Sequence, residues 1–105
     1  MKIIIIHTTT DSKKIARLIA DYAVKKKLSP CVQIIPQIET TYNWHGKINI
    51  SNEFLIIIKT IKENVEECKK CILELHNYDI PEIIVTESKI ILDEYSNWFL
   101  DNCRK

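Results

Sequence analysis

A chain of 105 residues has room for one domain and none to spare for a regulatory module beside a catalytic one. With 46% hydrophobic and 28% charged residues, one Gly and three Pro, it is globular rather than disordered, collagen-like or a linker. A formal net charge of +1 lacks the basic excess of a large nucleic-acid footprint. The apolar run Ile3–Ile6 is too short for a signal-peptide core or a membrane span.

The opening segment Lys2–Thr8 reads as a strand, β-branched and apolar on both faces. Asp11 or Ser12 can cap a helix reaching about Lys27, with Ile15, Leu18, Ile19, Tyr22 and Ala23 on its apolar stripe. Lys25-Lys26-Lys27 is a solvated helix end favoured by the macrodipole. Cys31–Tyr42 is a second, half-buried strand. Val32, Ile34, Pro36, Ile38 and Tyr42 share one parity, and Pro36 demands an edge or a bulge. The chain turns at Trp44-His45-Gly46-Lys47 on its single glycine and returns through Ile48–Thr60. Thr60 and Glu63 fit a capping box for a helix running to about His76, with Ile61, Val65, Cys68, Ile72 and Leu75 on one stripe. A short strand Glu82–Thr86 follows Pro81, and a last helix, about Ser88–Cys103, should bury Ile91, Tyr95 and either Trp98 or Phe99.

The order βαββαβ with a terminal helix predicts an α+β, ferredoxin-like sandwich, an antiparallel four-stranded sheet with two helices on one face. Two features do not close within one chain. Three strands are apolar on both faces, yet the helices cover only one. The hairpin strands, about 12 residues at about 3.3 Å each, are roughly 40 Å long. A domain of this size is only about 35 Å across. The hairpin therefore overhangs, presenting Tyr42 and Trp44, and a second copy of the chain is the economical cover.

Three segments carry a family resemblance: Cys31-Val-Gln-Ile-Ile-Pro36, Thr40-Thr-Tyr42-Asn-Trp44-His-Gly46-Lys47, and His76-Asn-Tyr78-Asp-Ile-Pro81-Glu82-Ile-Ile84. With Glu53 and Lys59-Thr60 in place, the whole chain, 1–105, resembles the CutA family of divalent-cation tolerance proteins. The resemblance implies a cytoplasmic, non-enzymatic homotrimer whose hairpins, with Tyr42 and Trp44, pair across subunit boundaries. It implies Cu(II) or another divalent cation, weakly bound, with His76 as ligand and His7 at the strand position where the family carries a Cys. An imidazole suits such ions through one ring nitrogen. The alternative for both histidines is structural: His76 bonding in the turn before Tyr78, and His7 packing at a strand end.

Lys59, Glu53, Tyr78 and Glu82 are the polar residues of the family motifs. They form either ion pairs or an inter-subunit cleft for a small anion, as in the similar PII regulatory trimers. Lys59, at the end of a buried strand, should be paired. Departures at Gln37, where the family has Gly, and at Asn77, where it has Pro, should alter the bend near Pro36 and loosen the turn at His76.

Cys68-x-x-Cys71 lies mid-helix rather than at a helix N-terminus, so it reads as packing rather than a redox pair. No Cys/His partners at zinc spacing accompany it. The four cysteines read as reduced thiols of a cytosolic protein, and Cys31 as a small buried residue. The central strands carry Phe54 alone as an aromatic, which argues against an RNA-binding sheet.

Overall fold

A computed structural model describes residues 1–104. The β-branched opening run extends as β1 over Lys2–Thr10, two residues beyond its predicted end. Ser12 Oγ accepts from the amide of Ile15 at 3.2 Å and starts α1, Lys13–Lys25. That helix ends in a Schellman turn. Lys27 takes φ 57°, the Leu28 amide reaches the Ala23 carbonyl at 2.9 Å, and the Lys27 amide reaches Val24 at 3.0 Å. β2 (Cys31–Trp44) and β3 (Lys47–Thr60) form the long hairpin, followed by α2 (Val65–Leu75), β4 (Ile84–Lys89) and α3 (Asp93–Asp101). The sheet order is β2-β3-β1-β4 with every neighbouring pair antiparallel, the α+β arrangement expected.

The main core fills the space between one sheet face and the two longer helices. Ile6, Ile56 and Ile58 meet Ala16, Ile19, Cys68, Cys71 and Ile72 there. α3 closes one end of the opposite face, where Phe99 and Cys103 pack on Ile3 and Ile61, with Ile5 and Tyr95 beside them. The rest of that face, including Ile35 and Ile84, stays open. The molecule measures 46 × 25 × 21 Å, elongated as the overhanging hairpin requires.

Several sequence expectations are corrected. β2 does not keep one parity. Ile35 faces Leu55, but Ile38 faces Glu53, so β2 carries one more residue than β3 over that stretch. This bulge turns Ile38, Thr40, Tyr42 and Trp44 to the face opposite that of Val32 and Ile34. Pro36 marks the site, and Gln37 adopts φ 58° within it. The capping box does not form: Thr60 Oγ1 donates instead to the Leu28 carbonyl at 2.6 Å, and a 3-10 turn, Lys62–Asn64, delays α2 to Val65. β4 lies two to three residues later than read. Ser88 and Lys89 therefore belong to it, and α3 starts at Asp93, leaving Ile91 90% exposed and Phe99 rather than Trp98 buried.

The Leu28 carbonyl is a meeting point. Besides Thr60 it accepts from Asn64 Nδ2 at 3.4 Å and lies 4.0 and 3.9 Å from the thiols of Cys68 and Cys103. Asn64 Nδ2 also donates to the Arg104 carbonyl at 2.7 Å.

A left-handed backbone costs a non-glycine residue about 1 kcal/mol or more. Glycine at position 37 relieves that strain and gives back part of the gain as unfolded-chain entropy. In urea melts, Gln37→Gly is expected to raise the unfolding free energy by about 0.5 kcal/mol, and Gln37→Val to lower it.

Candidate functional site

The bulge brings the hairpin's aromatic residues over the end of β1. Tyr42 and Trp44 share a sheet face with Glu53, and Tyr78 closes over them from the loop between α2 and β4. Together with Thr9 and Thr40 they border a cleft of about 350 Å³, rimmed by Asp79, Ile80 and Glu82. Glu53 is 5% exposed, and its Oε2 accepts from the Tyr78 hydroxyl at 2.6 Å. Burial first, then the bond to Glu53 and its charge, push the Tyr78 phenol well above the ordinary tyrosine range.

Three of the four polar motif residues, Glu53, Tyr78 and Glu82, thus converge. Lys59 does not join them. It sits six residues further along β3, roughly 20 Å away at about 3.3 Å per residue, opposite Ile5 and Cys31. It is half-buried and forms no salt bridge among the described residues, so the pairing expected for it is not made within this chain. The lining offers three carboxylates and no cationic side chain, the reverse of the charge a small anion needs. Sequence reading missed Thr9, Thr40, Asp79 and Ile80. Asp79 and Ile80 adjoin Tyr78 in the quoted motif, and Thr40 lies two residues before Tyr42. Thr9 depends on long-range register that no local pattern carries.

His76 holds the loop to the sheet. β4 pairs β1 only as far as His7, which leaves the edge of β1 beyond it free. His76 takes up that edge: its Nε2 lies 2.7 Å from the Thr9 carbonyl, and its Nδ1 accepts from the Tyr78 amide at 3.0 Å. Nε2 therefore carries the proton and donates, and the ring is a neutral, fixed tautomer. These are the bonds of the turn-bonding alternative. Asn77 does not loosen the turn. It accepts from Thr10 Oγ1 at 2.6 Å and donates to Asp11 Oδ1 at 2.8 Å, so two side-chain bonds stand where a proline ring was expected to give stiffness. His7 is half-buried on the open face, directly between Ile57 and Ile84. Among the described residues no three His, Cys, Asp or Glu side chains converge as a metal-holding group.

The thiols are placed for packing. Burial pushes those of Cys68 and Cys71 up to about 11, and that of Cys103 also rises. Thiolates are the reactive form, so the Cys68/Cys71 pair is not set up for disulfide exchange. All four cysteines are free.

The chain is an α+β protein with a four-stranded antiparallel sheet whose long hairpin borders an acidic, aromatic cleft. Its relatives make that specific. The CutA1 divalent ion tolerance protein family matches residues 4–102, and the chain belongs to that family. A chloroplastic CutA protein of Arabidopsis thaliana is 33% identical over 101 residues, covering 96% of this chain and 56% of that protein. The chain likewise spans 58% of a chloroplastic rice CutA 1. The divalent-cation tolerance protein CutA of Thermus thermophilus is 32% identical over 94 residues, covering 90% of this chain and 91% of that one. The crystal structure of CutA1 from Oryza sativa superposes with a TM-score of 0.94 at 30% identity, covering 100% of this chain and 96% of that chain. Among the described residues no helix is long and apolar enough to cross a membrane.

A phenol held as donor to a buried carboxylate favours the folded state until the unfolded chain's tyrosine ionises. That contribution is present below about pH 10 and is lost as pH rises above it. Ultraviolet titration is expected to show one of the four tyrosines resisting ionisation until the protein unfolds. Tyr78→Phe should abolish that late step and lower stability by about 1–2 kcal/mol in urea melts.

Proposed function

We propose that this chain is a divalent-cation tolerance protein acting by binding rather than catalysis, as a cytoplasmic homotrimer with a weak Cu(II) site at His76, assisted by His7. The observation that carries the metal reading is the His76 ring. Its Nε2–H rests on the Thr9 carbonyl, the support that commonly orients a ligating imidazole. Nδ1 is then the ligating atom, and its partner within the chain is the Tyr78 amide. A metal must displace that bond, and the exchange keeps affinity modest. Cu(II) suits imidazole donors and would draw His76 away from the turn it now ties down.

The assembly reading rests on the open sheet face and the projecting hairpin. Trp44 is 51% exposed at the far end of the hairpin, and Ile35 and Ile84 are uncovered on the same face. That face carries Lys59 near one end and the carboxylates of the cleft at the other. Such a surface is complementary to itself head to tail, which is the geometry that closes into a ring. The four free thiols, three of them buried, suit a reducing compartment.

Copper competition titrations, with mass followed by light scattering, test both readings. The wild type is expected to scatter as three times 12.3 kDa and to bind Cu(II) saturably at a fixed ratio per chain. His76→Ala should abolish binding and His7→Ala weaken it. A double variant that binds as well as the wild type would refute the metal site. Trp44→Ala is expected to dissociate the trimer at micromolar concentration, and a trimer that survives it would overturn this account of the hairpin.

A further inference from the structure

Two buried thiols from different elements meet at the end of β3 away from the hairpin turn. Cys68 comes from α2, and Cys103 from the turn just beyond α3. Their sulfurs lie 4.0 and 3.9 Å from the Leu28 carbonyl oxygen. Both also contact the Thr60 hydroxyl, itself 2.6 Å from that carbonyl. The sulfurs thus share the same two oxygens as neighbours, and rotation about their Cα–Cβ bonds can set both on one ion. Cys71, one turn further along α2, lines the outer groove between α1 and α2 instead, beside Tyr22 and Lys70. Every group at the corner belongs to one chain and is enclosed by it, so the ligand set does not depend on a neighbouring copy.

The number and kind of donors choose the ion. Two thiols are too few for zinc, which takes four ligands, and the hard divalent ions want oxygen. Soft thiolates select Cu(I), which is content with two of them. The compartment that suits four free thiols also keeps copper cuprous. Two thiolates on Cu(I) leave one negative charge. Burial opposes that charge, raising both thiols, but the neighbours pull the other way. Thr60 and then the Arg104 guanidinium favour the Cys68 thiolate, and Asn64 and Thr60 favour that of Cys103. Entry is through the segment that carries Cys103. Arg104 fastens it by its amide to the Lys27 carbonyl at 2.8 Å and by its carbonyl to Asn64 Nδ2 at 2.7 Å. Opening those two bonds frees Cys103 and gives an ion a way to Cys68.

We propose that Cys68 and Cys103 form a buried two-thiolate site for Cu(I), with Thr60, Asn64 and Arg104 around it. The site is separate from the Cu(II) reading of His76 and does not need it. On binding, each thiol gives its proton to solvent and two Cu–S bonds form, with no change of oxidation state at copper or sulfur.

Anaerobic titration of the assembled protein with Cu(I), against a chromophoric Cu(I) chelator as competitor, tests the site, with mass and circular dichroism recorded throughout. Saturable binding of one ion per chain is expected, with thiolate-to-copper absorption in the ultraviolet, and excess Zn(II) should not compete. Cys68→Ser and Cys103→Ser should each weaken binding at least about hundredfold. Cys31→Ser, Cys71→Ser and His76→Ala should leave it unchanged. Because two protons leave per ion, the affinity should rise about hundredfold per pH unit between about pH 6 and 8. Should Cys68→Ser fail to fold, Cys103→Ser, beside the exposed Arg104, and the pH slope carry the test. A slope of about tenfold per pH unit would mean a single thiol and overturn the site. So would a loss in Cys71→Ser as large as that in Cys103→Ser, which places the ion on another pair. Loss of Cu(I) in His76→Ala, or no saturable binding at one ion per chain, would overturn it as well.

Discussion

Between Ile35 and Ile38, β2 advances three residues while β3 advances two, from Leu55 to Glu53. Side chains alternate strictly along a strand, so this mismatch reverses the face presented by every residue beyond it. Nearer the body, Val32 and Ile34 join the core against the helices. Farther out, Thr40, Tyr42 and Trp44 come round to the side of Glu53. Without the extra residue the aromatic pair would sit above the helices and the cleft would have no wall. The strain stored in Gln37 at φ 58° is the local cost of that placement.

The opposite wall depends on where pairing stops. β4 ends its ladder at His7, and the liberated edge of β1 is filled by side chains instead of backbone. His76 gives the Thr9 carbonyl a partner in place of a continuing strand, and Asn77 adds bonds to the side chains of Thr10 and Asp11. The 76–82 loop is thereby fixed closely enough to bring the Tyr78 hydroxyl onto a buried carboxylate. Scaffold and site are joined through one imidazole. A ligand that competes for its Nδ1 also acts on the Tyr78 amide, and through it on the phenol covering Glu53.

Strand and helix order was legible because periodicity is local: the β-branched run after Lys2, the stripe through Ile15 and Ile19, and the alternation in β2 each report on their own neighbours. Prediction failed where a distant atom competed with a local one. Thr60 has the right spacing to cap α2, but the buried Leu28 carbonyl, thirty-two residues back, takes its hydroxyl. The parity of β2 was read straight through Pro36, although the proline itself announced a bulge, because a pattern of alternation holds no record of an inserted residue. Ile91 resembles a core residue by type alone, and only the later start of α3 shows why it is left outside. At the site, Glu53, Tyr78 and Glu82 were visible as motif residues, whereas their separation from Lys59 follows from strand register.

The corner around Leu28 bears on how the chain reaches this state. Its carbonyl gathers groups 32, 36, 40 and 75 residues away in sequence. Each of these contacts closes a long loop, and the entropy of closure must be met before any of them returns free energy. Contacts of that separation are expected to consolidate after the hairpin and helices have formed, on the native side of the folding barrier. Interactions made that late govern how fast the fold is lost rather than how fast it is gained. The buried thiols and the Asn64 amide at this corner are thus expected to act as a latch on unfolding, setting the lifetime of the folded chain more than its rate of appearance.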